Sequence, residues 1–352
     1  MGAFFNKTTS VSFAPDKDIP SLKGKVILVT GGTHRILPRL QDQLLTSCYS
    51  KGNSGLGKET VLQLAKHNPK AIILCCRTMS KGQDALKDVK NVASDANVEI
   101  LELDLASFKS IEKASREFTS KHDRLDLLIN NAGLVCHQQS SPENTRKMFT
   151  ELTRLQMAVP PTKTAEGYEI QFGVNHIGHF LLTKLLLPTL LKTADEPNAD
   201  VRIINLSSDA YKMAAASGIN FADTSLPGSS VWSRYGQSKL ANILFTKALA
   251  TRYDKILSVA VHPGVVDTNL ANTWLGNFAW LNRLLGRHFL TTVQEGAKNQ
   301  LWAATAERAG IESGRYYTPV GVKDECSGYA NDAKMADQLW EWSLKQCTEH
   351  GY

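Results

Sequence analysis

The chain has 352 residues, of which 42% are hydrophobic and 21% charged, with six cysteines and a formal net charge of +6. That length carries a substantial core as one large domain or two smaller ones, and the composition is that of a globular chain. The longest apolar stretch, Phe180 to Leu191, is broken by Lys184 and Pro188 and falls short of the roughly 20 residues that cross a bilayer, so no transmembrane span is expected.

Residues 1–20 read as an N-terminal extension without the apolar core of a secretory signal. Lys25 to Thr30 is a short β-branched run ending at glycines, the pattern of a buried strand. Gly31 and Gly32 then begin a glycine-rich turn that resumes only at Asn53-Ser54-Gly55-Leu56-Gly57. Behind it, Leu56, Val61 and Leu64 recur at helical spacing up to Asn68-Pro69. Strands follow at Ala71 to Cys76, Val98 to Leu103 and Leu125 to Ile129, with helices between them, the first from about Lys81. Later strands fall at Val201 to Leu206 and Ile256 to His262, separated by a long helix from Tyr235 to Tyr253. Alternation of strand and helix predicts an α/β fold, a doubly wound parallel sheet of the Rossmann type. No internal repeat or linker divides it, so residues 21–352 are taken as a single domain.

A glycine-rich turn between a first strand and a first helix directs backbone N–H groups and a helix N-terminus at a pyrophosphate. Four further features stand behind it in order. They are Asp104 after the third strand, Asn130-Asn131-Ala132-Gly133 after the fourth, Tyr235-Gly-Gln-Ser-Lys239, and His262-Pro263-Gly264 after a late strand. A tyrosine four residues before a lysine on one helix shares its face, and a neighbouring ammonium favours the phenolate. The cysteines show no CxxC pair, which argues against structural zinc and fits a reduced intracellular compartment. His176 and His179, without a third ligand, read as packing and hydrogen-bonding residues.

In these features, and in Phe172 to Thr183 (FGVNHIGHFLLT) and Tyr235 to Ala250 (YGQSKLANILFTKALA), the chain resembles the short-chain dehydrogenase/reductase family, its retinol-dehydrogenase-like subgroup in particular. The likeness runs from about Leu22 to Tyr317 and implies a nicotinamide cofactor and a carbonyl or alcohol substrate. It further implies Tyr235 as proton donor and acceptor, Lys239 as its electrostatic partner and ribose ligand, Ser208 as the substrate-orienting serine with Ser207 the alternative, and Asn175 as a proton relay. Gly31, Ser54, Gly55, Leu56 and Gly57 are implied at the pyrophosphate turn. Asp104, Asn131, Val266 and Thr268 are implied along the rest of the cofactor. Arg77, after the second strand, suits a 2′-phosphate where an acidic residue would suit a free ribose, which predicts NADP(H), with Lys58 as a second cation.

Tyr211, Met213, Phe221 and Trp232, and later Trp274, Phe278, Leu281 and Leu285, form an apolar stripe that reads as a lid over a lipophilic substrate, as core, as a dimer face or as a membrane-surface helix. The expected setting is therefore cytoplasmic, with peripheral membrane association left open. No basic stripe with interleaved aromatics points to nucleic acid. By resemblance, homo-oligomers form through the helix of Tyr235. Secondary metabolism and lipid or aldehyde detoxification both fit.

Two segments interrupt this pattern. Removing Thr33 to Gly52 restores a continuous TGGNSGLG, and removing Val135 to Gln156 lets Asn130-Asn131-Ala132-Gly133 run on to Leu-Met-Ala-Val-Pro-Pro. The first carries +2 (Arg35, Arg39 and Lys51 against Asp42) and the second +1 (Arg146, Lys147 and Arg154 against Glu143 and Glu151), half of the surplus charge. Both have the character of translated introns: Leu45-Thr46 and Leu152-Thr153 are encodable by a branch-point sequence, and Val135 and Gln156 by splice-site codons. Lineage-specific surface loops are the alternative. If the split turn cannot bind its cofactor, the chain is instead a catalytically impaired binding or regulatory protein of the same fold.

Overall fold

The computed structural model describes residues 10–31, 46–50, 55–138, 163–264 and 291–352, with 46–50 and 135–138 described by their backbone. The central sheet is built from β1 (Val26–Thr30), β3 (Ala71–Cys76), β4 (Val98–Glu102), β5 (Leu127–Asn130), β7 (Val201–Leu206), β8 (Ile256–Val261), β9 (Tyr316–Thr318) and β10 (Val322–Asp324). Their spatial order is β4-β3-β1-β5-β7-β8-β9-β10, parallel throughout except for the antiparallel β9–β10 pair at one edge. The expected doubly wound α/β sheet is present, with strand ends shifted by a residue or two.

The sheet is apolar because both faces are covered. Val26 and Leu28 of β1 enter one core and Ile27 and Val29 the other, as strand alternation requires. The first core takes α3 (Phe108–Lys121), α4 (Gly178–Ala194), α5 (Val231–Arg252) and α7 (Ala333–Glu349). The second takes α1 (Leu56–Ala65), α2 (Met79–Val92) and α6 (Val293–Thr305). At the N-terminal end of the sheet, fully buried Asp126 accepts the Val26 N–H at 2.9 Å and pairs with Arg124 and Lys25, which fixes β1 against β5. The opposite end, where β1 separates β3 from β5, is the crevice in which doubly wound sheets bind ligands.

Besides α6 and several short helical turns, three features were not expected. The β9–β10 hairpin closes the sheet edge. Helix α7 lies on α5, with Trp340 at 5.1 Å from Phe180 and 6.1 Å from Phe245, ring centre to ring centre. The third is a separate antiparallel pair, β2 (Thr46–Ser50) with β6 (Leu134–Gln138), in register from Thr46↔Gln138 to Ser50↔Leu134. Among the described residues, the two interrupting segments therefore pair with each other at 46–50 and 135–138. Shortly before the two segments begin, Gly31 and Ala132 are neighbours at the crevice, where a Cβ on Gly31 would lie 2.8 Å from the Ala132 Cα.

Candidate active site

At the C-terminal end of β1, Thr30 and Gly31 meet the Asn130–Gly133 turn that follows β5. Gly31 has φ +78°, a left-handed conformation that L side chains rarely adopt, and its N–H donates to the Cys75 carbonyl at 3.1 Å. On Gly57 a Cβ would fall 2.6 Å from both the Asn131 Nδ2 and the Gly31 carbonyl. These two glycines are required by close backbone approach. Asn131 donates to the Thr30 carbonyl at 2.7 Å, while its Oδ1 is buried without a hydrogen-bond partner among the described residues. A floor of close-packed backbone, glycines without room for a Cβ, and an unpaired acceptor in the ligand crevice of the sheet fits a dinucleotide. Ser54, Val266 and Thr268, and the apolar positions Trp274, Phe278, Leu281 and Leu285, lie outside the described residues.

Arg77 directly follows β3 and is half-buried. It is held at the Gly31 level, because Cys75 and Cys76 accept the Gly31 and Leu103 N–H groups at 3.1 and 2.9 Å. Asp104 occupies the next strand end, where its Oδ1 accepts the Ala106 N–H at 3.0 Å and its own N–H donates to Ser110 Oγ at 2.9 Å. Lys58, expected as a second cation assisting Arg77, pairs its ammonium with Asp88 on α2.

The remaining site residues come from β7, α5 and the segment leading into α4. Ser208 follows β7, caps a short 3-10 turn by accepting the Ala210 N–H at 3.2 Å, and stands close enough to the Tyr235 phenol to favour its ionised form. Ser207 points the other way and donates to the Lys239 carbonyl at 2.8 Å, so of the two serines Ser208 stands at the phenol. On α5, which begins at Val231 rather than Tyr235, the Lys239 Nζ sits 5.6 Å from the centre of the Tyr235 ring. It donates to the Leu206 carbonyl at 3.0 Å, which also accepts from Asn242 Nδ2 at 2.9 Å. Asn175 lies in a π-helical turn, Gly173–Ile177, of the kind that recurs at functional sites. Its side chain grips Leu134, accepting the N–H at 2.6 Å and donating to the carbonyl at 3.0 Å, and also donates to Ser238 at 2.9 Å. Its amide is thus committed to the backbone, and what it offers a relay is its main-chain carbonyl.

Burial sets the protonation states. The Lys239 ammonium is brought down to about 8 by loss of solvent. Burial pushes the Tyr235 phenol up to about 12, and the Ser208 hydrogen bond is the influence that pulls it back. The expected lowering by Lys239 is not what governs this phenol, which is protonated at neutral pH and so begins as an acid. A protonated phenol beside a serine hydroxyl can give a proton to an oxygen held between them, and a buried ammonium favours the phenolate left behind.

His176 and His179 are both buried and hydrogen-bonded, His176 to Ser343 of α7 at 2.9 Å and His179 to the Asn175 carbonyl and Thr30. Among the described residues no group of three His, Cys, Asp or Glu is placed to hold a metal. The apolar stripe divides. Tyr211 is core, with its phenol on Ser327, and Phe221 packs on Trp342. Met213 is exposed, and Trp232 lies edge-on to the Tyr235 ring at 6.3 Å. Sequence reasoning missed Thr30, Ser238 and Asn242, all hydrogen-bonded around this centre. The last two lie inside the quoted YGQSKLAN run, and their helical spacing from Tyr235 and Lys239 was the available signal.

Comparison with known proteins agrees with this geometry. A sequence model of the short chain dehydrogenase family matches residues 48–277, and the chain belongs to that family of oxidoreductases. It is 34% identical over 337 residues to an uncharacterized oxidoreductase of Schizosaccharomyces pombe, covering 93% of this chain and 86% of the relative. It is likewise 34% identical over 330 residues to mouse retinol dehydrogenase 12, covering 92% and 86%. Among solved structures it is similar to an uncharacterized protein of Mycobacterium paratuberculosis, 27% identical with a TM-score of 0.63 over 97% of this chain and 98% of that one. Family membership implies a nicotinamide cofactor and a small-molecule substrate. No helix among the described residues is long and apolar enough to cross a membrane.

Proposed function

We propose that this chain is an NADP(H)-dependent oxidoreductase that interconverts a lipophilic carbonyl compound and its alcohol. The observation that carries the reading is the meeting of Ser208, Tyr235 and Lys239 at one strand end and one helix face. Tyr235 transfers the proton, Ser208 orients the substrate oxygen, and Lys239 stabilises the phenolate and reaches the ribose. Asn175 serves the relay through its carbonyl. The nicotinamide cofactor, when bound, exchanges hydride with the substrate carbon. Gly31, Ser54, Gly55, Leu56 and Gly57 hold its pyrophosphate, Asp104, Asn131, Val266 and Thr268 flank it, and Arg77 selects the 2′-phosphate. Retinol dehydrogenases among the relatives support a lipophilic substrate, with Trp232 and Met213 at its entrance.

The test is NADPH consumption with a panel of lipophilic aldehydes and ketones, retinal included. Turnover that disappears in Tyr235→Phe supports the assignment, and turnover unchanged by that substitution contradicts it. A role in secondary metabolism belongs to the same proposal and is probed by the substrate the panel identifies.

Residues 33–52 and 135–156 are read as translated introns, so the working enzyme is the chain without them. The β2–β6 pairing favours the rival view, in which both segments belong to the protein and the split turn leaves a silent Rossmann-type module. Sequencing the mature transcript across codons 30–60 and 130–160 is the test: absence of both segments supports the first view, and with both present the phosphate site is either rebuilt or lost, which NADPH affinity decides.

A further inference from the structure

His179 makes two hydrogen bonds of opposite sense. Its Nδ1 lies 3.1 Å from the Asn175 carbonyl, which can only accept, so Nδ1 carries the proton. Nε2 is then an acceptor, 2.9 Å from Thr30 Oγ1. The Thr30 hydroxyl has one proton to give, and the His179 contact prevails over the Ile129 carbonyl at 3.5 Å. The same oxygen accepts the Ala132 N–H at 3.0 Å. Two residues on, Leu134 is gripped at N–H and carbonyl by the Asn175 side chain.

The path therefore closes on itself: Thr30, His179, Asn175, Leu134 and back along the chain to Ala132. At its centre is Gly133, where a Cβ would stand 3.3 Å from Lys239 Nζ and 3.5 Å from Asn175 Oδ1. A leucine or phenylalanine at position 179 would fill the volume but would close neither bond. Burial keeps the imidazole neutral, as the ring of bonds requires.

We propose that His179, in its Nδ1–H tautomer and paired with Thr30, is a positioning residue that fixes the Ala132–Leu134 backbone against Lys239. Its consequence for catalysis rests on the proposed role of Lys239; the ring itself does not. The tests use the full chain. Nitrogen-15 NMR of His179 is expected to show protonated Nδ1 and bare Nε2, and the opposite tautomer overturns the proposal without any variant. Thr30→Val and His179→Phe are expected to speed amide exchange at Ala132 and to weaken NADPH affinity by roughly tenfold each, the scale of one lost buried hydrogen bond. The double variant is expected to be no worse than either single one. Thr30→Ser, which keeps the hydroxyl, restores wild-type exchange and affinity.

If Thr30→Val matches wild type in both measurements, or the two losses add, the proposal is wrong. A full chain that binds no NADPH is the expected consequence of the split turn, and the tautomer and Ala132 exchange then decide the ring.

Discussion

Ser208, Tyr235 and Lys239 come from one strand end and one helix, and no interrupting segment lies between any two of them. On the phosphate side of the crevice, Gly31 and the Gly55–Gly57 run must converge across residues 33–52, and the Asn130–Gly133 turn leads straight into β6. The contrast separates folding from binding. Lengthening a turn of about three residues to about 23 raises the closure cost by only about 1.8 kcal/mol, so the sheet tolerates the insertion. A pyrophosphate asks more, because the N–H groups that converge on it must be ordered beforehand. On the proposed function the proton-transfer half is a local structure, and the prediction to test is that the phosphate half depends on chain continuity.

The sharpest break of the proton-transfer half is Tyr235→Phe. The phenyl ring keeps its packing on Trp232, and kcat is expected to fall about 10³-fold, within the range of general acid catalysis. Steady-state rates with any substrate found above check this.

Lys239→Met comes next, and it divides function from stability. Turnover is expected to vanish, yet the variant is expected to be more stable at neutral pH by roughly 3 kcal/mol, because the buried ammonium titrates near 8 rather than 10.5. The Leu206 carbonyl keeps Asn242 as a donor. The sign follows from linkage: below about pH 8 the native state bears the full cost of the charge, and the cost fades as pH rises from 8 to 10.5. The stability gap between wild type and variant, read from urea melts, is expected to close over that window.

Arg77→Asp sharpens the phosphate half. NADPH affinity is expected to drop by roughly 10- to 100-fold relative to NADH, the scale of one or two charge-assisted hydrogen bonds, and equal effects on both cofactors contradict the assignment. The smallest effect concerns His176 and His179, which burial holds near 3 and near 4. The unfolded chain takes up protons at these positions below about pH 6.5 while the native chain does not. Stability is therefore expected to fall with decreasing pH, by at most about 1.4 kcal/mol per unit for each histidine. Substituting His176 with asparagine is expected to reduce that slope in melts between pH 6.5 and 5.

The same contrast marks what could be read from the residues alone. The alternation of strands and helices along the chain and the Tyr235–Lys239 pair were legible, because apolar runs and i,i+4 spacing are local properties. The choice between Ser207 and Ser208 was not: alternation puts them on opposite faces, and only the position of the Lys239 carbonyl says which face is which. The partner of Lys58 was hidden for the same reason, since Asp88 is brought to it by packing of α1 on α2. Helix α7 did leave a trace, an Asp332 cap followed by Met335, Ala336, Leu339, Ser343 and Cys347 buried on one face. The β2–β6 pairing left none, because among the described residues each strand finds its partner in the other interrupting segment and at Leu134.

The most direct test is a fluorescence titration of NADPH into the full chain and into the chain lacking residues 33–52 and 135–156. Weak binding by the full chain with ordinary binding by the shortened one is the predicted result, and comparable affinities would contradict the claim that the phosphate half depends on an unbroken turn.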